Sequence, residues 1–226
     1  MSSLTKIVNS VPIISGLALS ACQGESDMIL VDYKCSKQEI YLISKAIGEW
    51  SEAADSAEMN IPLSLNFDSD KDPDGFLDWG MKSVEGRKEN SAVIYKIKTT
   101  NPGYLTLQEE KGGVSFYGVA AESTYVVFVE DIIPGLVGKE AFKTYEEAFY
   151  YVALHEFGHF FGLPHLSSPH SIMAGEVYVG VETCIDEETL ENYCNLKECG
   201  PNKHPTCKYE IEVELSTRVF TSGRID

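Results

Sequence analysis

The chain has 226 residues, of which 43% are hydrophobic and 11% aromatic, and this composition is that of a globular domain, not of a disordered segment. Its formal net charge is −17 at pH 7, so it repels nucleic acid and anionic membrane surfaces, which argues against both as partners. We interpret the acidity as a source of solubility outside the cell, with calcium binding or basic substrates as the alternative.

Residues 1–21 predict a lipoprotein signal peptide. Lys6 gives a positive start, and the apolar run over residues 7–19 is too short to span a membrane but fits a signal-peptide core. The run ends in Leu-Ser-Ala-Cys, which resembles a bacterial lipobox, so Cys22 is the expected lipidation site. Gln23 follows, and by the same analogy it indicates the outer membrane of a Gram-negative cell. The alternative is a plain secretory signal and a secreted protein, in which this cysteine is incidental.

The next segment predicts a strand, a long helix and a second strand. Residues 28–33 form a short apolar run that is typical of a buried strand. Ser36 then begins Ser-Lys-Gln-Glu, a capping box with Glu39 in the first helical turn. Apolar residues follow at spacings of three and four, which predicts an amphipathic helix that ends near Glu58. Alternating polarity over residues 61–67 predicts the second strand.

An acidic run after this strand resembles the first half of an EF-hand-type calcium loop. Asp70, Asp72, Asp74 and Asp78 stand where such loops carry oxygen ligands. The position of the bidentate glutamate is occupied by Met81, so the loop is incomplete. Calcium binding and a solvated acidic turn are therefore both open interpretations.

Three further strands are predicted before a second long helix. They cover residues 92–98, 114–120 and 125–130, and the last is apolar enough to be central in a sheet. Thr144 opens another capping box, Thr-Tyr-Glu-Glu, with Glu147 in its third helical position. This box predicts the start of the second long helix.

That helix carries the residues that indicate function, within the run His-Glu-Phe-Gly-His-Phe-Phe-Gly-Leu-Pro-His. His155 and His159 are four residues apart on one helix face, so both can reach a single metal ion. Gly162 lets the helix end in a left-handed conformation, after which the chain turns back and offers His165 as a third ligand. Three protein nitrogens leave one tetrahedral position for water, which is typical of catalytic zinc. Glu156 stands where zinc peptidases carry their general base.

The whole pattern, H-E-x-x-H-x-x-G-x-x-H followed by a methionine turn at Met173, resembles the metzincin signature. The spacing to Ser-Ile-Met resembles the matrixin branch, although Leu166 replaces the usual serine and Gly175 stands where astacins and serralysins carry tyrosine. The resemblance implies an α/β (α+β) fold with a five-stranded, mixed, twisted sheet and two long helices. It also implies that residues 114–120 form an antiparallel edge strand, which pairs with a peptide substrate, whereas the alternative is an ordinary interior strand.

The resemblance places the metzincin-like catalytic domain at residues 22–195 and a cysteine-containing C-terminal extension at residues 196–226. Within these parts, residues 186–193 predict a short helix and residues 209–215 a terminal strand. An odd number of cysteines follows the proposed lipidation site, so at least one thiol is free, buried or paired with another molecule. Four of them lie near the C-terminus and predict one or two disulfides there, with the connectivity open. These cysteines are Cys35, Cys184, Cys194, Cys199 and Cys207.

The predicted function is hydrolysis of peptide bonds in proteins outside the cytoplasm by a monomeric zinc endopeptidase. Zn²⁺ is the expected cofactor, and a lipid anchor is the only expected contact with a membrane. Glu156 removes a proton from the zinc-bound water and passes it to the leaving amine. By the resemblance, Met173 forms a floor beneath the metal, and Gly162 is structural. The alternative is a catalytically idle, zinc-containing binding protein of the cell surface, which would have no need of Glu156.

Overall fold

The computed structural model describes residues 28–59, 61–68, 91–110, 113, 115–138, 142–177 and 182–207. Several features predicted from the sequence lie outside these residues and stay predictions. They are the signal peptide with Cys22, the acidic loop with Asp70, Asp72, Asp74 and Asp78, and the terminal strand at residues 209–215.

Five strands form one mixed sheet in the order β2-β1-β3-β5-β4. β1 pairs in parallel with β2 and β3, and β3 pairs in parallel with β5. β4 pairs with β5 in the antiparallel sense and forms one edge of the sheet. The predicted five-stranded mixed sheet with an antiparallel edge strand is therefore confirmed. The strands are β1 (Met28–Asp32), β2 (Leu63–Phe67), β3 (Ser91–Ile97), β4 (Gly118–Ala121) and β5 (Tyr125–Val129).

The sheet has a hydrophobic core on each face because successive strand residues point to opposite sides. In β3, Ala92 and Ile94 belong to the core shared with the two long helices, whereas Val93 and Tyr95 belong to the other core. The second core is covered by α2 through Tyr104 and its neighbours. The helices are α1 (Lys37–Ala54), α2 (Pro102–Glu110), α3 (Tyr145–Phe160) and α4 (Glu187–Leu196), and short 3-10 helices lie at Ala57–Met59 and Ile133–Leu136.

The start of α1 confirms its predicted capping box. Ser36 Oγ accepts a hydrogen bond from the Glu39 N–H at 3.2 Å, and the Glu39 carboxylate accepts one from the Ser36 N–H at 2.7 Å. The predicted end near Glu58 is wrong, because Asp55 adopts a left-handed conformation with φ 51° and ends the helix at Ala54.

α3 begins at Thr144 as predicted, but its capping box is only half formed. Thr144 Oγ1 accepts a hydrogen bond from the Glu147 N–H at 3.2 Å. The Glu147 carboxylate accepts its hydrogen bond from the Lys143 N–H at 2.7 Å instead of from the Thr144 N–H. From Ala148 onward every residue of α3 is buried, because α1, the sheet and the segment after Met173 surround the helix.

Three further details differ from the sequence predictions. β4 begins at Gly118, four residues later than predicted. β5 is wholly buried but lies second from the edge, because β3 holds the central position. α2 was not predicted, since Pro102 and Gly103 at its start are typical of a turn. Asn101 nevertheless caps this helix, and its side-chain oxygen accepts a hydrogen bond from the Gly103 N–H at 2.9 Å.

The segment after α4 packs on the C-terminal end of α1. Backbone hydrogen bonds of 2.9 Å join Gly200 N–H to the Ala54 carbonyl, and of 3.0 Å join His204 N–H to the Ala53 carbonyl. The Asp55 carboxylate accepts a third bond, from the backbone N–H of residue 202, at 2.9 Å. The segment after α4 is therefore attached to the end of α1 by main-chain hydrogen bonds. The predicted domain boundary at residue 195 stays a prediction.

The cysteines are paired as Cys184–Cys207 and Cys194–Cys199, which confirms the prediction of one or two disulfides in the C-terminal part. Cys35 is free and buried. Burial and the nearby carboxylates raise the pKa of its thiol to about 12, so the thiol stays protonated and unreactive at neutral pH. No helix in the part of the chain that the structure describes is long and apolar enough to cross a membrane.

Candidate metal centre

Three histidines converge at the C-terminal end of α3. The ligand nitrogens of His155, His159 and His165 all lie within 4.8 Å of one another. The Nε2 atoms of His159 and His165 are 3.0 Å apart. Two nitrogens that share a tetrahedral Zn²⁺ lie about 3.3 Å apart when each bond is about 2.0–2.1 Å. The spacing of the three rings therefore fits one zinc ion.

Backbone carbonyls orient the two helical histidines. His155 Nδ1–H donates to the Ile172 carbonyl at 2.7 Å, and His159 Nδ1–H donates to the Leu163 carbonyl at 2.7 Å. A carbonyl oxygen only accepts, so each Nδ1 carries the hydrogen and each Nε2 keeps its lone pair. Hydrogen bonds of this kind fix the ring orientation of metal-binding histidines. The donor set and its tautomers thus fit the requirements of zinc.

The turn after α3 brings the third histidine to the other two. Gly162 has φ +101°, a left-handed conformation that confirms the expected end of the helix. Its N–H donates to the His159 carbonyl at 2.9 Å, and the Leu163 N–H donates to the Gly158 carbonyl at 2.9 Å. The chain then reverses direction, and this reversal places His165 opposite the helical pair.

Met173 packs against α3 and is fully buried. A Cβ atom on Gly158, in the last turn of α3, would overlap with the Met173 sulfur. This close approach places the methionine side chain directly against the last turn of the helix, which also carries His159. The role of Met173 as a floor beneath the metal stays a prediction.

The part of the chain that contains these elements matches a known protein family. The family model described as Matrixin matches residues 36–184, about two thirds of the chain, from the start of α1 to beyond the methionine turn. The chain belongs to the matrixin family. Matrixins are zinc metallopeptidases. Membership of the family therefore implies that this chain uses zinc as its cofactor and acts on proteins or peptides. A comparison with curated proteins gave no significant match.

Burial keeps the three imidazoles of this matrixin neutral. Burial lowers the pKa of His155 well below its usual range, and repulsion from the other two histidines lowers it further. The same causes, burial and the neighbouring His165, lower the pKa of His159 to about 4, and burial lowers that of His165. Neutral imidazole is the form that binds zinc, so no proton competes with the metal at neutral pH.

Glu156 lies beside the histidines and is also buried, with 3% of its surface exposed. Its Oε2 atom has no hydrogen-bond partner among the described residues. Burial raises the pKa of this carboxyl well above its usual range. A carboxyl in this condition readily takes up a proton. A small cavity next to it is lined by Tyr117, Tyr151 and residues 174–177.

The methionine turn of this matrixin is anchored by α4. Asp186, the N-cap of that helix, accepts hydrogen bonds from the Thr189 N–H at 2.9 Å and from the Ile172 N–H at 3.0 Å. Ser171 Oγ accepts a bond from the Met173 N–H at 3.0 Å. Because the Ile172 carbonyl orients His155, the Asp186 carboxylate indirectly supports the first histidine.

The three histidines, Glu156, Gly162 and Met173 were predicted as site residues from the sequence, whereas several residues that pack against them were not. Trp50 donates its indole N–H to the Leu154 carbonyl at 2.9 Å, one residue before the first histidine. The absence of a side chain at Gly158 leaves room for the side chain of Met173, and Gly118 of β4 lies against Glu156. The aspartate at the start of α4 was a recognisable N-cap signal, whereas the two glycines and Trp50 act through contacts between distant segments that carry no local pattern.

Proposed function

We propose that this matrixin is an endopeptidase, with His155, His159 and His165 as its zinc ligands and Glu156 as its general base. The main support for the proposal is that a cluster of three histidines and a buried carboxyl lie side by side. The metal-binding nitrogens of three neutral imidazoles lie within 4.8 Å of one another, and next to them lies the buried Glu156 carboxyl, whose Oε2 has no hydrogen-bond partner among the described residues. The combination suits hydrolysis because it supplies a metal site and a base together.

Zn²⁺ bound by the histidines supplies Lewis acidity, which polarises the scissile carbonyl and lowers the pKa of a bound water. Glu156 accepts one proton from the attacking water while the water oxygen forms a bond to the carbonyl carbon. The carbon–nitrogen bond then breaks, and Glu156 delivers the same proton to the departing amine. The backbone carbonyls of Ile172 and Leu163 hold the histidine rings in place throughout.

The edge strand β4 supports an endopeptidase over an enzyme for small amides. It pairs with β5 on one side, and no other described strand pairs with its second side. An extended peptide can add to such an edge through main-chain hydrogen bonds, which do not require a free chain end. β4 also lies directly beside Glu156, so an added strand would pass close to the base.

We also propose that the protein acts outside the cytoplasm, as a lipoprotein anchored through Cys22 and otherwise monomeric. The lipobox-like sequence is the main support for the anchor. The disulfides Cys184–Cys207 and Cys194–Cys199 support export, because disulfides persist in oxidising compartments and are rare in the cytosol. Radiolabelled palmitate incorporated into the wild-type chain but not into Cys22→Ala would support the anchor, and equal labelling would contradict it.

The catalytic role of Glu156 is tested by its removal. Glu156→Ala should keep one zinc per chain but lower kcat for a fluorogenic peptide by roughly 10²–10⁴, the usual contribution of a general base. Zinc content by atomic absorption and initial rates measure the two effects. Glu146→Ala is the matched control, since Glu146 is exposed in the first turn of the same helix. Full activity in Glu156→Ala would contradict the proposed mechanism.

A further inference from the structure

The backbone of β4 touches the side chain of Glu156. A Cβ atom built on Gly118 would lie 2.6 Å from Glu156 Cγ, 2.7 Å from Oε1 and 2.8 Å from Cδ. Carbon atoms in van der Waals contact are about 3.5–4.0 Å apart, so no side chain fits at position 118 while Glu156 keeps its place. The carboxyl therefore occupies the space that a side chain at this position would fill.

Packing holds the Glu156 side chain in place. Oε2 is buried and has no hydrogen-bond partner among the described residues. The neighbouring surface is formed by Tyr117, Tyr151 and Val152, which line the adjacent cavity together with Glu156. Because the backbone of β4 lies directly against this carboxyl, its direction depends on how closely β4 approaches α3.

We propose that Gly118 is a positioning residue for Glu156, and this inference rests on the proposed endopeptidase function. The missing side chain lets β4 approach α3 closely enough to hold the carboxyl beside the histidines. Gly118 pairs with Phe128 of β5, so the sheet fixes its location. The edge strand thus has two roles, since it is also the proposed pairing partner of the substrate.

Gly118→Ala tests the proposal directly. The added methyl group displaces the carboxyl, and a misplacement of about 1 Å lowers kcat by about 10²-fold. KM should change by less than about twofold, because the methyl group points toward Glu156 and leaves the pairing edge of β4 intact. Zinc content should stay at one per chain, since the three atoms nearest to the added methyl group all belong to Glu156 and none belongs to a histidine. Gly48→Ala is the matched control, because nothing lies within 4 Å of its added methyl group.

A double variant separates positioning from a general disturbance of the sheet. Glu156→Ala removes Cγ, Cδ and Oε1, the three atoms that an added methyl group at position 118 would meet. Gly118→Ala should therefore lower the residual kcat of the Glu156→Ala variant much less than it lowers the kcat of the wild type. Equal losses in the two backgrounds, or wild-type kcat in Gly118→Ala, would overturn the inference.

Thermal unfolding tests the same contact without reference to activity. Gly118→Ala should lower the Tm of the zinc-loaded protein by roughly 3–9 °C through overpacking, and by much less in a Glu156→Ala background. Equal shifts in both backgrounds would contradict the contact. A wild-type chain that cleaves no peptide but shows this coupling would contradict the proposed function and leave the packing of Gly118 against Glu156 supported.

Discussion

At the scale of single residues, the metal centre depends as much on glycines as on its donor groups. Gly162 provides the left-handed turn that returns the chain, Gly158 admits Met173, and Gly118 leaves space for Glu156. The first of these could be predicted, because the distance from His159 to His165 along the chain requires a sharp reversal. The other two could not, because their partners lie far away in the sequence and only the folded chain brings them together.

The substitution Gly162→Val should lower the zinc content of the purified protein. Valine is strained at φ +101°, and its Cβ would also lie 3.0 Å from the Glu122 carboxylate. The turn would then shift and move His165 away from the other two histidines. Zinc content after dialysis against a weak chelator measures the effect, with Gly135→Val as the control at an open position. One zinc retained per Gly162→Val chain would contradict the proposed role of this turn.

At the scale of elements, the two long helices and all five strands could be predicted from periodicity and capping signals. The ends of these elements were less predictable. α1 ends earlier than predicted because Asp55 adopts a left-handed backbone conformation, which the sequence does not indicate. α2 escaped prediction because its Pro-Gly start resembles a turn, although Asn101 caps it. The support that α4 gives to the methionine turn also escaped prediction, since a capping aspartate does not reveal a second partner outside its helix.

The double role of Asp186 leads to a prediction about α4. Asp186→Ala removes an N-cap and leaves the buried Ile172 N–H unpaired, which together should cost about 2–4 kcal/mol of unfolding free energy. Urea unfolding of the zinc-loaded protein measures this loss. Zinc affinity should fall as well, because the Ile172 carbonyl orients His155.

Asp186→Asn provides the matched comparison, because asparagine also caps helices and keeps one acceptor oxygen. It should lose much less stability than the alanine variant. The same stability in Asp186→Ala as in the wild type would show that α4 does not anchor the turn.

At the scale of the whole molecule, one buried carboxylate joins three elements. Glu39 accepts hydrogen bonds from the Ser36 N–H at 2.7 Å, from the Lys96 ammonium group at 3.0 Å and from the Tyr145 hydroxyl at 2.6 Å. These partners belong to the start of α1, to β3 and to the start of α3. The capping box with Ser36 could be predicted, but the links to Lys96 and Tyr145 arise only when the chain folds.

From the Glu39 carboxylate we predict that the protein loses stability in acid. Burial alone raises the pKa of Glu39, but the hydrogen bonds from Tyr145, Ser36 and Lys96 outweigh burial and lower it below its ordinary value of 4.5. The native state therefore binds the proton more weakly than the unfolded state does. The stabilising contribution is complete above the ordinary pKa and is lost as the pH falls through the lower native pKa.

Thermal unfolding between pH 6 and pH 3, roughly the window in which carboxylates titrate, checks this prediction. In the metal-free protein, Glu39→Gln should show a smaller fall in Tm across this window than the wild type. Glu58→Gln serves as the control, since Glu58 is exposed. An equal fall in the wild type and Glu39→Gln would show that the Glu39 network contributes nothing to the acid response.

The central claim is that one zinc ion held by the three histidines drives cleavage of internal peptide bonds. The most direct measurement titrates Zn²⁺ into the metal-free protein and follows cleavage of a mixed library of peptides blocked at both ends. We predict that activity rises in proportion to bound zinc and reaches its plateau at one zinc per chain, with cuts at internal bonds. One zinc bound per chain without any cleavage would contradict the claim and favour the catalytically idle binding protein.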